Sequence, residues 1–242
     1  MGRTIDIKRA LESWGVTKAG ITRIPQDHDL DECMELIRHI GETFYDGFTI
    51  DEKNSFVFEN IALWMIGSPE AKAHDAEGKV VPADLNKGLY IAGRTGTGKS
   101  LLLSVFSVFS KILKVEYEVN TKKYYMDFQF YRSDLICDDY AREGDLQKFK
   151  QMPILCIEDL GAEEPETLFM GNRRNVLRSI LEARADRRSL LTFVTSNLSI
   201  RSLAKVKTKD GRESGERYGD RVQSRAYEMF NYYILGGKDR RQ

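Results

Sequence analysis

The eight residues GRTGTGKS, Gly93 to Ser100, constrain this chain more than any other stretch. Their spacing is that of a phosphate-binding P-loop, G-x-x-x-x-G-K-[ST]. Glycines let the backbone wrap with its N–H groups turned inward on an anion, a lysine reaches the outer phosphates, and a hydroxyl holds the bridging magnesium ion. The motif demands a strand entering and a helix leaving. GLYIAG, Gly88 to Gly93, suits a buried parallel strand, and KSLLLSVFSVFSKIL places Leu102, Phe106, Phe109 and Leu113 at helical spacing. The cradle is expected at Gly93, Thr95, Gly96, Thr97, Gly98, Lys99, Ser100 and Leu101, with Lys99 on the phosphates and Ser100 on magnesium. The positive end of the helix dipole adds to it.

Composition bounds the rest. At 242 residues the chain has room for one α/β core and a small appendage. Lys and Arg number 37, as do Asp and Glu, so any attraction to nucleic acid must come from a local patch. Cys33, Cys137 and Cys156 are too widely spaced for a disulfide framework or a zinc site, which fits a reducing cytoplasm. His28, Cys33 and His39 do not stack on one helix face and lack a fourth ligand. The start of the chain lacks a signal-peptide core, and no apolar run reaches the length of a membrane span.

Along the chain, residues 6–15, 30–47 and 56–67 read as helices, and the polar, proline-bearing stretch 68–88 reads as a connecting loop. After the P-loop helix, residues 114–119 and 124–131 suit strands or a hairpin, and 132–143 a helix. Ile154 to Ile157 form a compact apolar run ending in Glu158 and Asp159. A buried strand with carboxylates at its carboxyl end delivers them to the ligand crevice of an open α/β sheet, where one can hold magnesium and the other orient a water for attack on a γ-phosphate. A third apolar run, Leu190 to Val194, ends in small polar groups and Asn197, whose amide both donates and accepts. The helix-forming stretch before it, residues 173–188, completes a β-α-β alternation and hence a parallel sheet.

With these residues in place, the chain resembles the AAA+ ATPases, and among them the DnaC/DnaI-type helicase loaders and the related IstB-type transposition ATPases, from about Phe56 onward. GRTGTGKS fits Walker A, ILCIEDLGAE resembles Walker B followed by L-G-x-E, and TSNLS resembles sensor 1. YGDRVQSRAYEM is similar to the family's arginine-bearing box VII, and LGGKDRRQ to its short strand and G-x-x-x-R tail. The resemblance implies a core of about five parallel strands flanked by helices over 51–242, a helical region over 1–50 able to dock a partner, and no C-terminal lid domain. It implies ATP and Mg2+ as ligands, with Ser100 and Glu158 on the metal, Glu158 and Asp159 on metal and attacking water, and Asn197 sensing the γ-phosphate. Arg225 takes the position of an arginine finger offered to a neighbouring subunit, which implies a homo-oligomer; Arg221, four residues earlier on the same helix face, is the second candidate. Arg241 or Arg240 would be a further phosphate sensor. One departure stands out: the family usually places Asp first at the strand end, whereas here Glu158 precedes Asp159, an order that points to slow hydrolysis.

The resemblance further implies binding of single- or double-stranded DNA and a replicative helicase as partner, or a transposase in the alternative reading. The basic loop holding Arg201, Lys205, Lys207, Lys209, Arg212, Arg217 and Arg221 could contact phosphates, though Asp210, Glu213 and Glu216 weaken its field. Lys122, Lys123 and Arg132, mixed with aromatics, could do so too, or line the sheet core. A further reading is an ATP-gated scaffold that holds nucleotide without turnover. A small-molecule kinase is disfavoured, because it has no need of Asn197 or the QSRA segment.

Overall fold

The alternation of apolar residues in Gly88–Ala92, Ile154–Leu160 and Leu191–Ser196 divides one sheet into two buried faces. The computed structural model describes residues 20–207, 213–237 and 239. In chain order the strands are β1 (Ile21–Arg23), β2 (Lys72–His74), β3 (Val80–Pro82), β4 (Gly88–Ala92), β5 (Glu116–Val119), β6 (Lys122–Tyr125), β7 (Gln129–Arg132), β8 (Ile154–Leu160), β9 (Thr167–Phe169), β10 (Asn172–Arg174), β11 (Leu191–Ser196), β12 (Lys205–Lys207), β13 (Glu213–Glu216) and β14 (Phe230–Ile234). The α-helices are α1 (Leu30–Phe44), α2 (Ser55–Met65), α3 (Lys99–Ile112), α4 (Ser133–Glu143), α5 (Gln147–Gln151), α6 (Val176–Ala185) and α7 (Gly219–Met229).

The main sheet runs β3-β2-β14-β4-β11-β8-β7. Its stretch from β14 to β7 is parallel, which meets the expectation of about five parallel strands. The β2–β3 hairpin adds two antiparallel strands at one edge. The sequence reading of 68–88 as a loop is thereby corrected. Its strands are three residues long, and β2 is recruited by Tyr232 of β14 opposite His74, a pairing no local pattern announces. A separate three-stranded sheet, β1-β5-β6, leaves Tyr124 and Tyr125 exposed, so those aromatics are not sheet core.

Leu89, Ile91, Cys156 and Phe193 point to one face, covered by Ile37 of α1, Ile61 and Trp64 of α2, and Phe106 and Phe109 of α3. Tyr90, Leu155, Ile157 and Val194 point to the other, under Ile136 of α4, Phe149 of α5, Ile180 of α6 and Val222 of α7. This is the two-sided covering that parallel strands need, since both of their faces are apolar. All three cysteines are free and buried. Helix 6–15 of the sequence reading lies outside the described residues. Among the described residues no helix is long and apolar enough to cross a membrane.

Candidate nucleotide site

The carboxyl ends of four neighbouring strands stand at one level. Ala92 of β4 pairs with Ser196 of β11 and with Ile234 of β14, and Ser196 pairs on its other side with Leu160 of β8. Residues just beyond these ends therefore share one crevice, where open α/β sheets bind their ligands.

The P-loop leaves β4 there. Gly93 N–H donates to Ser196 O at 3.1 Å, and Thr97 Oγ1, buried, donates to Arg94 O at 2.8 Å, closing the turn. Gly96 and Gly98 have φ of +80° and +91°, the left-handed region that glycine enters without strain. Gly98 caps α3 without a side-chain hydrogen bond, and the first turn, which includes Ser100 and Leu101, contains no acid. The backbone N–H groups and positive dipole end of the helix start thus suit an anion. Lys99 is 6% exposed, and its Nζ donates to Gly93 O at 2.9 Å, Arg94 O at 3.0 Å and Asn197 Oδ1 at 2.8 Å. Two of these acceptors are carbonyls of its own loop and the third is a neutral amide past β11, and a phosphate can replace such neutral acceptors. Thr95 is exposed at the tip.

The acid pair sits one strand further, with β11 between it and β4. β8 and β11 keep step from Ile154/Leu191 to Ile157/Val194, then slip by one residue before Leu160/Ser196. Glu158 and Asp159 are therefore two residues opposite the single Thr195, a β-bulge, which breaks the alternation of side chains and re-aims them. Both acids are half-buried. Asp159 has φ +52°. Its N–H donates to Thr195 Oγ1 at 3.0 Å, and Ser133 Oγ donates to its carbonyl at 2.8 Å. Thr195 is fully buried, so the bulge is fixed from within the sheet. Aspartate is among the few residues tolerated in the left-handed region, which gives the Glu-then-Asp order a backbone reason: the second position is the left-handed one.

Beyond the acids the chain turns at Gly161 and delivers Glu163, 6% exposed, into a polar network. Glu163 accepts from Gly161 N at 2.9 Å and from the Tyr218 hydroxyl, and Arg217 Nη1 donates to Gly161 O at 2.9 Å. Burial, and next the Glu163 carboxylate, push the Tyr218 phenol well above its ordinary range, so it stays the donor. The network joins the acid-bearing strand to the residue that caps α7. On α7, Arg221 is exposed, whereas Arg225 pairs with Asp186 at 3.1 Å and with Glu228 at 3.3 Å. Arg240 and Arg241 lie outside the described residues, as does the tip of the basic loop, 208–212.

The structure thus brings the P-loop, Lys99 and Asn197 into direct contact, sets Glu158 and Asp159 at the same sheet edge, and leaves Arg221 and Arg225 on the outer helix. Glu163 and Tyr218 were not singled out from sequence as site residues, and Arg217 was read only as part of a basic loop. The L-G-x-E string contained the only local signal, since a glutamate next to a glycine turn reads equally as solvated. Among the described residues no group of three or more His, Cys, Asp or Glu forms a metal cage.

The fold and this edge define an α/β protein with a P-loop on its central strand and carboxylates two strands away, across β11. Two solved structures are similar to it in three dimensions. A crystal structure of the DnaC helicase loader shares 20% identity at a TM-score of 0.48, over 82% of this chain and 99% of that one. AMPPCP-bound DnaA from Aquifex aeolicus shares 14% at a TM-score of 0.47, over 81% of this chain and 50% of that one. No family model matches the chain, and no curated protein matches it.

Proposed function

We propose that this protein is a DNA-associated AAA+ ATPase of the helicase-loader type, which hydrolyses ATP as a homo-oligomer with an arginine supplied in trans. The observation that carries the nucleotide reading is the contact of Lys99 with Asn197: the P-loop cation is held at the tip of the adjacent strand, level with the acid-bearing one. The loop fits a polyphosphate, because Gly96 and Gly98 are left-handed and its helix start lacks a side-chain cap. Lys99 would exchange Asn197 and the carbonyls for phosphate oxygens. Ser100 and Glu158 would hold Mg2+, which when bound neutralises charge on the phosphates. Asp159 would orient the attacking water, and Asn197, released from Lys99, would face the γ-phosphate. Arg225, freed from Asp186, would reach a neighbouring subunit's nucleotide, with Arg221 as its alternative.

On this reading residues 51–242 form the ATPase core, and the first fifty present the docking surface for a replicative helicase. The exposed side of α1, with Asp31, Glu32, Glu35 and Arg38, belongs to that surface. The bulged Glu158–Asp159 pair supports a second reading, an ATP-gated scaffold with little turnover. A transposition regulator of the IstB type would share the same core and prefer duplex DNA.

The test is ATP hydrolysis together with mass in solution, with and without single- and double-stranded DNA, for the parent, Lys99→Ala and Arg225→Ala. Expected are assembly and DNA-stimulated turnover by the parent, no nucleotide binding by Lys99→Ala, and binding without turnover by Arg225→Ala. Nucleotide binding with no turnover under any condition would select the scaffold; a monomer indifferent to Arg225→Ala would overturn the trans arrangement.

A further inference from the structure

The chain does not leave the sheet freely after β14. Leu235 N–H donates to Ala92 O at 2.7 Å, so the tail runs out beside the P-loop strand. Its carbonyl closes on the loop: a Cβ placed on Gly93 would stand 2.6 Å from Leu235 O. Gly236 and Gly237 follow, the latter at φ +127°, a conformation essentially reserved for glycine. Asp239 then lies on Gly96. A Cβ placed there would meet its Oδ1 at 2.1 Å and Oδ2 at 2.6 Å, so the carboxylate rests on the buried middle of the cradle.

We propose that Asp239 is an intramolecular stand-in for phosphate, whose carboxylate covers the nucleotide site until a nucleotide's phosphates displace it. This stand-in rests on the nucleotide reading above and adds a regulator to it. A P-loop is built to attract an anion, through inward N–H groups, a helix dipole and a lysine. A carboxylate has the right sign and two acceptor oxygens, but less charge than a polyphosphate, so it can hold the place and still be expelled. Asp239 is otherwise exposed, on a tail past the last strand, and its departure breaks no core packing. Any nucleotide must therefore compete with it. Its apparent affinity is lowered by the fraction of molecules whose cradle is covered, and the tail is released when phosphate enters.

The experiment is titration of ATP, ADP and adenosine into the parent, Asp239→Asn, Asp239→Ala and Lys99→Ala, followed by calorimetry. A tail that covers the cradle in four molecules of five predicts roughly fivefold tighter ATP and ADP binding by both Asp239 variants. Adenosine affinity should not change, since it brings no phosphate to the cradle. If the parent binds ATP and the Asp239 variants bind it equally or more weakly, the stand-in is overturned and the nucleotide site remains. A gain for adenosine as large as that for ATP would overturn it too, by placing the effect at the base rather than the phosphates. If parent and Asp239 variants all fail to bind ATP, the nucleotide reading falls and this inference with it. Folding of the variants is not at issue, because position 239 lies outside the buried core.

Discussion

Lys99 donates to a neutral amide, Asn197 Oδ1, at 2.8 Å. Asn197→Asp would replace that amide with a carboxylate, forming an ion pair the phosphate must break while also repelling it; nucleotide affinity should fall about tenfold, equivalent to about 1.4 kcal/mol. Asn197→Ala leaves the lysine on the carbonyls of Gly93 and Arg94, so binding should stay within about threefold while turnover drops. Fluorescent-nucleotide binding beside a turnover assay separates the two, and an alanine variant that binds worse than the aspartate would refute the geometry. Asp159 invites the opposite kind of test. Its φ of +52° costs a non-glycine residue on the order of 1 kcal/mol, a strain that persists where function requires it. Asp159→Gly should therefore raise the unfolding free energy by about that amount while abolishing hydrolysis, and chemical denaturation of the variant checks it. A destabilised Asp159→Gly would show that the carboxylate, not the backbone, holds the bulge.

At the scale of elements, what was legible depended on how local the cause was. The P-loop strand and helix announce themselves through apolar run, glycines and 3.6-residue spacing, all within 26 residues of each other, Gly88 to Leu113. The β2–β3 hairpin did not: Lys72–His74 and Val80–Pro82 are three-residue strands that pair with each other, and β2 joins the main sheet only through Tyr232 of β14, about 150 residues away. The bulge at Glu158 and Asp159 was invisible for a similar reason: it is a property of the register against Thr195, not of β8 alone. The hairpin also has a pH signature. His74 accepts from Ile234 N–H through Nδ1 at 3.3 Å, and burial lowers its pKa below the ordinary 6.5. The unfolded chain thus takes up the proton first: the stability is present above pH 6.5 and is lost as pH falls through the lower, folded value. His74→Gln, which cannot charge, should lose less thermal stability than the parent between about pH 7 and pH 5.5, by roughly 1–2 °C at the melting midpoint. Equal losses in a melting series across that range would remove His74 as the titrating group.

For the whole molecule, the order of the parallel strands places the P-loop strand between β14 and β11, and so puts the last helix, α7, on the opposite face from α3. Arg225 therefore stands on an outer surface, paired with Asp186 and Glu228 of its own chain. Exposed pairs of this kind are worth under about 1 kcal/mol each, so a neighbouring subunit's nucleotide could draw the guanidinium away. Motif order in the sequence pointed to such a finger, but a partner's nucleotide belongs to an assembly that one chain's sequence does not contain. The proposed arrangement in trans has a consequence no single-chain arrangement shares. Arg225→Ala keeps an intact Lys99 site without a finger, and Lys99→Ala keeps the finger without a site; each alone should be inactive. In a head-to-tail assembly mixed at equal amounts, about a quarter of the interfaces join an intact site to an intact finger, so about a quarter of the parental turnover should return. If Arg225 served its own chain's nucleotide, every subunit in the mixture would still lack one component and turnover would stay at the sum of the two variants. A mixing series read by phosphate release decides between the two, and a second series with Arg221→Ala in place of Arg225→Ala shows which arginine of α7 crosses the interface.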